Sequence, residues 1–112
     1  MKKLILKVSV IVAALSHLNA TTSAAECVFG YVWRDAKDGD DACVTPAERR
    51  QAKLQNAGAA DNVRPGGGAY GPYTCRQGYV WREAVPGDVV CVTPQERSVA
   101  RRQNSDSHKH EQ

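Results

Sequence analysis

Phe29, Tyr31 and Trp33 alternate with Gly30, Val32 and Arg34, a period of two that predicts a strand with one aromatic face. Asp38-Gly39-Asp40 then predicts a turn, and Ala42-Cys43-Val44 a second short strand. Thr45-Pro46-Ala47-Glu48 offers Thr45 as N-cap, proline at the first helical position and Glu48 at the third, the signature of a capping box. Strand, turn, strand and helix thus follow within some thirty residues.

The same pattern returns at an offset of 48 positions: CVFGYVWRDAKDGDDACVTPAERRQAKLQN lies over CRQGYVWREAVPGDVVCVTPQERSVARRQN, with 18 of 30 residues identical. Tyr79 and Trp81 repeat the aromatic alternation, and Val90-Cys91-Val92 repeats the second strand. Thr93 and Glu96 repeat the capping pair. Pro86-Gly87 suits the centre of a type II turn. Helices are expected over residues 46–60 and 94–104.

The fold class expected is a small disulfide-rich α+β protein of two tandem β-hairpin-plus-helix repeats. Its parts are a signal peptide (1–25), repeat unit 1 (27–64), a Gly/Pro-rich linker (65–74), repeat unit 2 (75–104) and a polar disordered tail (105–112). The linker composition suggests copies that move independently.

Met1-Lys2-Lys3 followed by the apolar stretch Leu4 to Leu18 reads as a secretory leader, with cleavage expected after Ala25 and Ala20 as second choice. The stretch is interrupted by Lys7 and His17 and falls short of the roughly 20 residues a membrane span needs. No stable span is therefore expected after cleavage. The leader carries three lysines and no acid, so the formal charge of +3 belongs to it and the mature chain is neutral. That removes the electrostatic case for a nucleic-acid partner.

Cys27, Cys43, Cys75 and Cys91 all lie in the exported part, an even count that reads as disulfides. Pairing within each copy is favoured, Cys27 with Cys43 and Cys75 with Cys91, with pairing across the copies as the competitor. A unit this small cannot bury enough apolar surface to fold unaided, and closing a loop of about 15 residues contributes roughly 3 kcal/mol. The expected localisation is secreted or periplasmic.

Gly-Tyr-Val-Trp-Arg-Glu-Ala (78–84), then Pro-Gly-Asp-Val-Val-Cys-Val-Thr-Pro (86–94), resembles a short two-cysteine repeat of secreted bacterial proteins. The resemblance covers nearly all of the mature chain outside linker and tail. It implies export and a repeated module, and no particular substrate.

Candidate chemistry is sparse. No Gly-x-Ser-x-Gly or Cys-x-x-Cys occurs, and the mature histidines, His108 and His110, sit in the tail. Asp35, Asp38, Asp40 and Asp41 crowd one turn without EF-hand spacing. No catalytic residue, metal ligand or cofactor is assigned, and the chain is not expected to be an enzyme. Tyr31, Trp33 and Arg34, with Tyr79, Trp81 and Arg82, are the candidate binding residues, because flat rings beside a guanidinium suit sugars, peptides or proteins. For both tryptophans the favoured role is a miniature core, packed on Val44, Val92 and the helix, with Arg34 and Arg82 stacked on the rings or paired with Asp40 and Asp88. The function expected is a tandem-repeat binding module for an envelope or extracellular partner, protein or polysaccharide. A secreted effector such as an inhibitor or toxin-like protein is the alternative, with an enzyme third.

Overall fold

Two residues are enough for each strand. The computed structural model describes residues 26–112, so the leader expected over residues 1–25 lies outside the described residues. In the first copy β1 (Val32–Trp33) pairs antiparallel with β2 (Cys43–Val44), setting Val32 against Val44 and Trp33 against Cys43. The helix α1 (Pro46–Ala57) follows. In the second copy β3 (Val80–Trp81) pairs with β4 (Cys91–Val92), and α2 (Pro94–Asp106) follows. The protein is thus a small α+β fold of two hairpin-plus-helix repeats.

The strands are shorter than the aromatic alternation suggests. Phe29-Gly30 is a turn instead, closed by the Tyr31 N–H donating to the Val28 carbonyl at 3.0 Å, with Gly30 at φ 94°. The hairpin turns follow the type II expectation: Asp88 N–H donates to the Val85 carbonyl at 3.1 Å across Pro86-Gly87, and Gly87 takes φ 83°.

Both capping boxes form. Thr45 Oγ1 accepts from the Glu48 amide at 3.2 Å while Glu48 Oε1 accepts from the Thr45 amide at 2.8 Å. Thr93 and Glu96 do the same at 3.2 and 2.9 Å. The first helix stops short of the expected residue 60, because Gly58 ends it and a 3₁₀ turn, Ala59–Asn62, takes over. The second runs to Asp106 and passes into a 3₁₀ turn at Ser107–His110.

The disulfides join Cys27 to Cys43 and Cys75 to Cys91, so each copy keeps its bond inside itself. Buried apolar side chains are small: Ala36, Ala52, Ala84 and Ala100 form one cluster, with Val44, Val92 and the inner cysteines beside the strands. Leu54 is 61% exposed and Phe29 wholly exposed, whereas Arg34 and Arg82 are 2% and 1% exposed. This is an inversion of the usual sorting of residue types.

Those arginines join the copies. Arg34 makes a two-bond fork with Asp40, Nε to Oδ2 at 2.7 Å and Nη2 to Oδ1 at 2.9 Å. Its Nη1 then crosses to the second copy, donating to the Ala100 carbonyl at 3.3 Å and Gln103 Oε1 at 3.2 Å. Its Nη2 also reaches the Ala84 carbonyl at 3.2 Å and Asn104 Oδ1 at 2.7 Å. Arg82 mirrors the fork with Asp88 at 2.7 and 3.1 Å, and donates back to the Ala52 carbonyl at 3.4 Å and Gln55 Oε1 at 3.2 Å. Residue i meeting j in one direction and j meeting i in the other is the contact rule of a two-fold interface. The cluster of small alanines, Ala52 on α1 and Ala100 on α2 with Ala36 and Ala84 of the hairpins, leaves room for the guanidinium groups, and no buried side-chain nitrogen or oxygen among the described residues lacks a partner.

The expectation of independently moving copies is thereby corrected: neither copy can satisfy its own buried arginine. The tail expected to be disordered is corrected too. The His110 carbonyl accepts from the Val28 amide at 2.8 Å, the Gln112 amide donates to the Glu26 carbonyl at 2.8 Å, and buried Ser107 Oγ accepts from the Cys43 amide at 2.8 Å. The end of unit 1 treats unit 2 alike, with Arg76 N–H on the Asn62 carbonyl and Arg64 N–H on the Thr74 carbonyl, both at 2.8 Å. Isolated bridges Cys27↔Glu111 and Val63↔Cys75 complete the exchange. The structural units are therefore residues 26–64 and 74–112, each wider than the sequence repeat.

The linker is a tight loop and no slack tether. Gly68 and Gly71 exchange backbone hydrogen bonds at 3.1 Å, and Thr74 Oγ1 accepts from the Tyr70 amide at 2.9 Å while donating to the Gly71 carbonyl at 2.8 Å. A Cβ on Gly67 would stand 2.8 Å from the Gly71 carbonyl oxygen, and Gly67 has φ 79°, so glycine is required there by space and conformation together.

Candidate functional site

Of the six candidate binding residues, the structure withdraws two. Arg34 and Arg82 lie within the copy-to-copy interface, which corrects the reading that placed them on a binding surface, and they pair with Asp40 and Asp88 as the competing reading expected. The aromatics divide between the two copies. Tyr31 is half-buried and stacks on the His110 ring at 3.9 Å with planes 8° apart, and Trp33 is 42% exposed. Neither tryptophan is a core residue; Trp81 is half-buried.

Tyr79 and Trp81 line a cleft of about 310 Å³ on the second copy, together with Tyr70, Thr74, Cys75, Val80, Glu83 and Arg97. Trp81 stands in β3 and Tyr79 just ahead of it, and the linker loop brings Tyr70 against Trp81. Trp81 Nε1–H donates to the Tyr73 carbonyl at 2.9 Å, which fixes the indole plane. Tyr70 meets Trp81 edge-on, with centroids 6.1 Å apart and planes at 67°. Two ring planes thus form adjoining walls.

At the rim, Glu83 Oε1 lies 3.5 Å from Arg97 Nη1 and 3.5 Å from Arg101 Nη2. These are long, solvent-exposed ion pairs that contribute little to folding, so their hydrogen-bonding capacity is free for a ligand at low cost. Glu83 has φ 55°, a left-handed backbone that costs a non-glycine residue about 1–2 kcal/mol. Asp35 takes the same φ of 55° in the first copy, so the conformation belongs to the repeat's turn and not to the cleft.

On the first copy a hollow of about 260 Å³ is bordered by Val32, Pro46, Arg49, Arg50 and Lys53. Thr22, the counterpart of Tyr70 at the 48-residue offset, lies outside the described residues.

Beneath the cleft, Asp88 holds the hairpin that carries Trp81. Burial pushes its carboxyl upward, but the hydrogen bonds from Arg82 and from the Ala84 and Val90 amides, with the Arg82 charge, outweigh it and leave the pKa below the ordinary 3.8. Among the described residues no cysteine is free and no three His, Cys, Asp or Glu side chains converge as metal ligands do. No helix among them is long and apolar enough to cross a membrane.

Tyr70, Glu83 and Arg97 were missed as site residues. Tyr70 was legible as an aromatic residue set in a glycine-rich run, an odd place for a ring unless it packs on something. Glu83 was hidden by its replacement with Asp35 in the other copy. Comparison with protein-family models, with curated proteins and with solved structures finds no match for the chain.

Proposed function

We propose that the protein is an exported, disulfide-stapled binding module that holds a partner in the cell envelope or outside the cell through the cleft at Trp81. One observation carries the reading: three aromatic rings converge with a carboxylate and a guanidinium in a preformed hollow, the usual composition of a ligand site. Export is supported by the leader-like start of the chain and by its disulfides. The resemblance to the two-cysteine repeat of secreted bacterial proteins points the same way.

The test is retention of the mature chain on purified cell wall, on envelope polysaccharide and on immobilised extracellular protein. Trp81→Ala is expected to reduce retention on the cognate material at least tenfold. Unchanged retention removes the cleft from the function. A non-reducing mass map of material from its natural location is expected to show cleavage after Ala25 and no free thiol; reduced cysteines there contradict export.

The interlocked copies and absence of free cysteines among the described residues also suit a secreted effector that must survive proteases. Growth or protease inhibition by added protein, insensitive to Trp81→Ala, would favour that role.

A further inference from the structure

Given the binding-module reading, on which this rests, we infer that the Trp81 cleft takes a saccharide, one or a few sugar units of an oligo- or polysaccharide. The cleft, about 310 Å³, stands at the small end of ligand sites, which begin near 300 Å³. Its walls carry the rings of Tyr70, Tyr79 and Trp81. Because the Trp81 N–H is already spent on the Tyr73 carbonyl, the indole offers ring surface and no donor, which suits the C–H face of a sugar ring.

The polar groups fit the rest of such a ligand. Glu83 offers acceptor oxygens and Arg97 offers donors 3.5 Å away, side chains 49% and 30% exposed. One hydroxyl can donate to the carboxylate while its neighbour on the ring accepts from the guanidinium. Covering the pair with a ligand lowers the local dielectric and strengthens both bonds.

An extended peptide bound by strand addition fits less well, because it needs a long free edge and β3 has two residues.

The experiment uses the mature chain, with cellotetraose, chitotetraose, laminaritetraose and mannotetraose as probes, read by tryptophan fluorescence and calorimetry. Saturable binding of at least one is expected. Trp81→Ala and Glu83→Gln are each expected to weaken it tenfold or more. Leu54→Ser, on an exposed part of α1 outside the cleft, is expected to leave it unchanged. Near-UV circular dichroism and the urea midpoint of Glu83→Gln are expected to match the parent, separating lost recognition from lost folding.

Failure of all four sugars to bind, or binding that survives Trp81→Ala, overturns the saccharide assignment. If no sugar binds but a protein is retained through Trp81, the ligand class falls while the binding module stands. If Trp81→Ala changes neither sugar binding nor retention on envelope and protein, both fall.

Discussion

Arg34 donates from Nη1 to the main-chain oxygen of Ala100 at 3.3 Å, across the boundary between the two copies and sixty-six residues along the chain. Arg82 returns the contact to Ala52 at 3.4 Å. Each guanidinium is wholly inside, forked to an aspartate of its own copy and closed over by the helix of the other. With a core of alanines and few larger apolar groups, this paired polar centre decides whether the copies associate.

Removing one member of a buried ion pair strands the other, which costs about 3–5 kcal/mol. Arg82→Ala and Asp88→Ala are therefore each expected to lower stability by that amount, a large part of the roughly 5–15 kcal/mol typical of a domain. The double change Arg82→Met with Asp88→Leu is expected to recover only part of the loss, because the Ala84 and Val90 amides lose their acceptor. Urea unfolding followed by far-UV circular dichroism checks both. A single replacement costing under about 1 kcal/mol would contradict the role given to the pair.

Asp88 makes the fold acid-sensitive. Its folded pKa lies below the ordinary 3.8, so the unfolded chain takes up the proton first as pH falls. The stability contributed by this carboxylate is full above its unfolded pKa of about 3.8 and is lost as pH drops through the lower folded value. The urea midpoint is expected to decline steeply below pH ~4, and Asp88→Asn, weaker at neutral pH, is expected to decline less.

The C-terminal segment is part of the first unit's structure. Ending the chain after Asp106 removes the acceptors of the Val28 and Cys43 amides and the Gln112 donor to Glu26. At about 1 kcal/mol per bond the expected loss is about 3 kcal/mol. Hydrogen exchange is the sharper probe: the Val28 and Cys43 amides are expected to lose protection in the shortened chain. Unaltered protection would show that the segment contributes nothing there.

The reciprocal contacts predict that one unit can serve as its own partner. Residues 74–112 alone contain Arg82, Asp88, Ala84, Ala100, Gln103 and Asn104, the residues of this unit that make the guanidinium contacts across the interface and within it. The isolated unit is expected to sediment as a two-fold dimer and to unfold on dilution. A folded monomer at all concentrations would mean that the crossing bonds are dispensable.

Much of this was written plainly in the chain. The duplicated cysteines, the Pro-Gly turn and the Thr-Pro-x-Glu starts are local signals, each with its own geometry, and the structure places them as expected. What stayed hidden was non-local. Residues 57–64 and 105–112 share no identical position, yet their backbones pair alike, because main-chain hydrogen bonds do not depend on side-chain identity. Glycine misled for a related reason, since the composition of a slack linker is also what a tight loop demands at Gly67. The pairing of Arg34 with Asp40 and of Arg82 with Asp88 was legible as one of two roles for these arginines, but their burial against the opposite copy was not, because only the other helix supplies the crossing acceptors.

The bond between Gln112 and Glu26 has one more consequence. The first and last described residues meet at the same kind of joint that Arg64 and Thr74 make around the glycine loop. Threading order is therefore immaterial to the architecture: a circular permutant opened within 66–71 and rejoined from Gln112 to Glu26 by a short glycine segment is expected to fold alike. Residues 26–112 are in effect a closed ring of two links with one link cut, and either joint can serve as the opening.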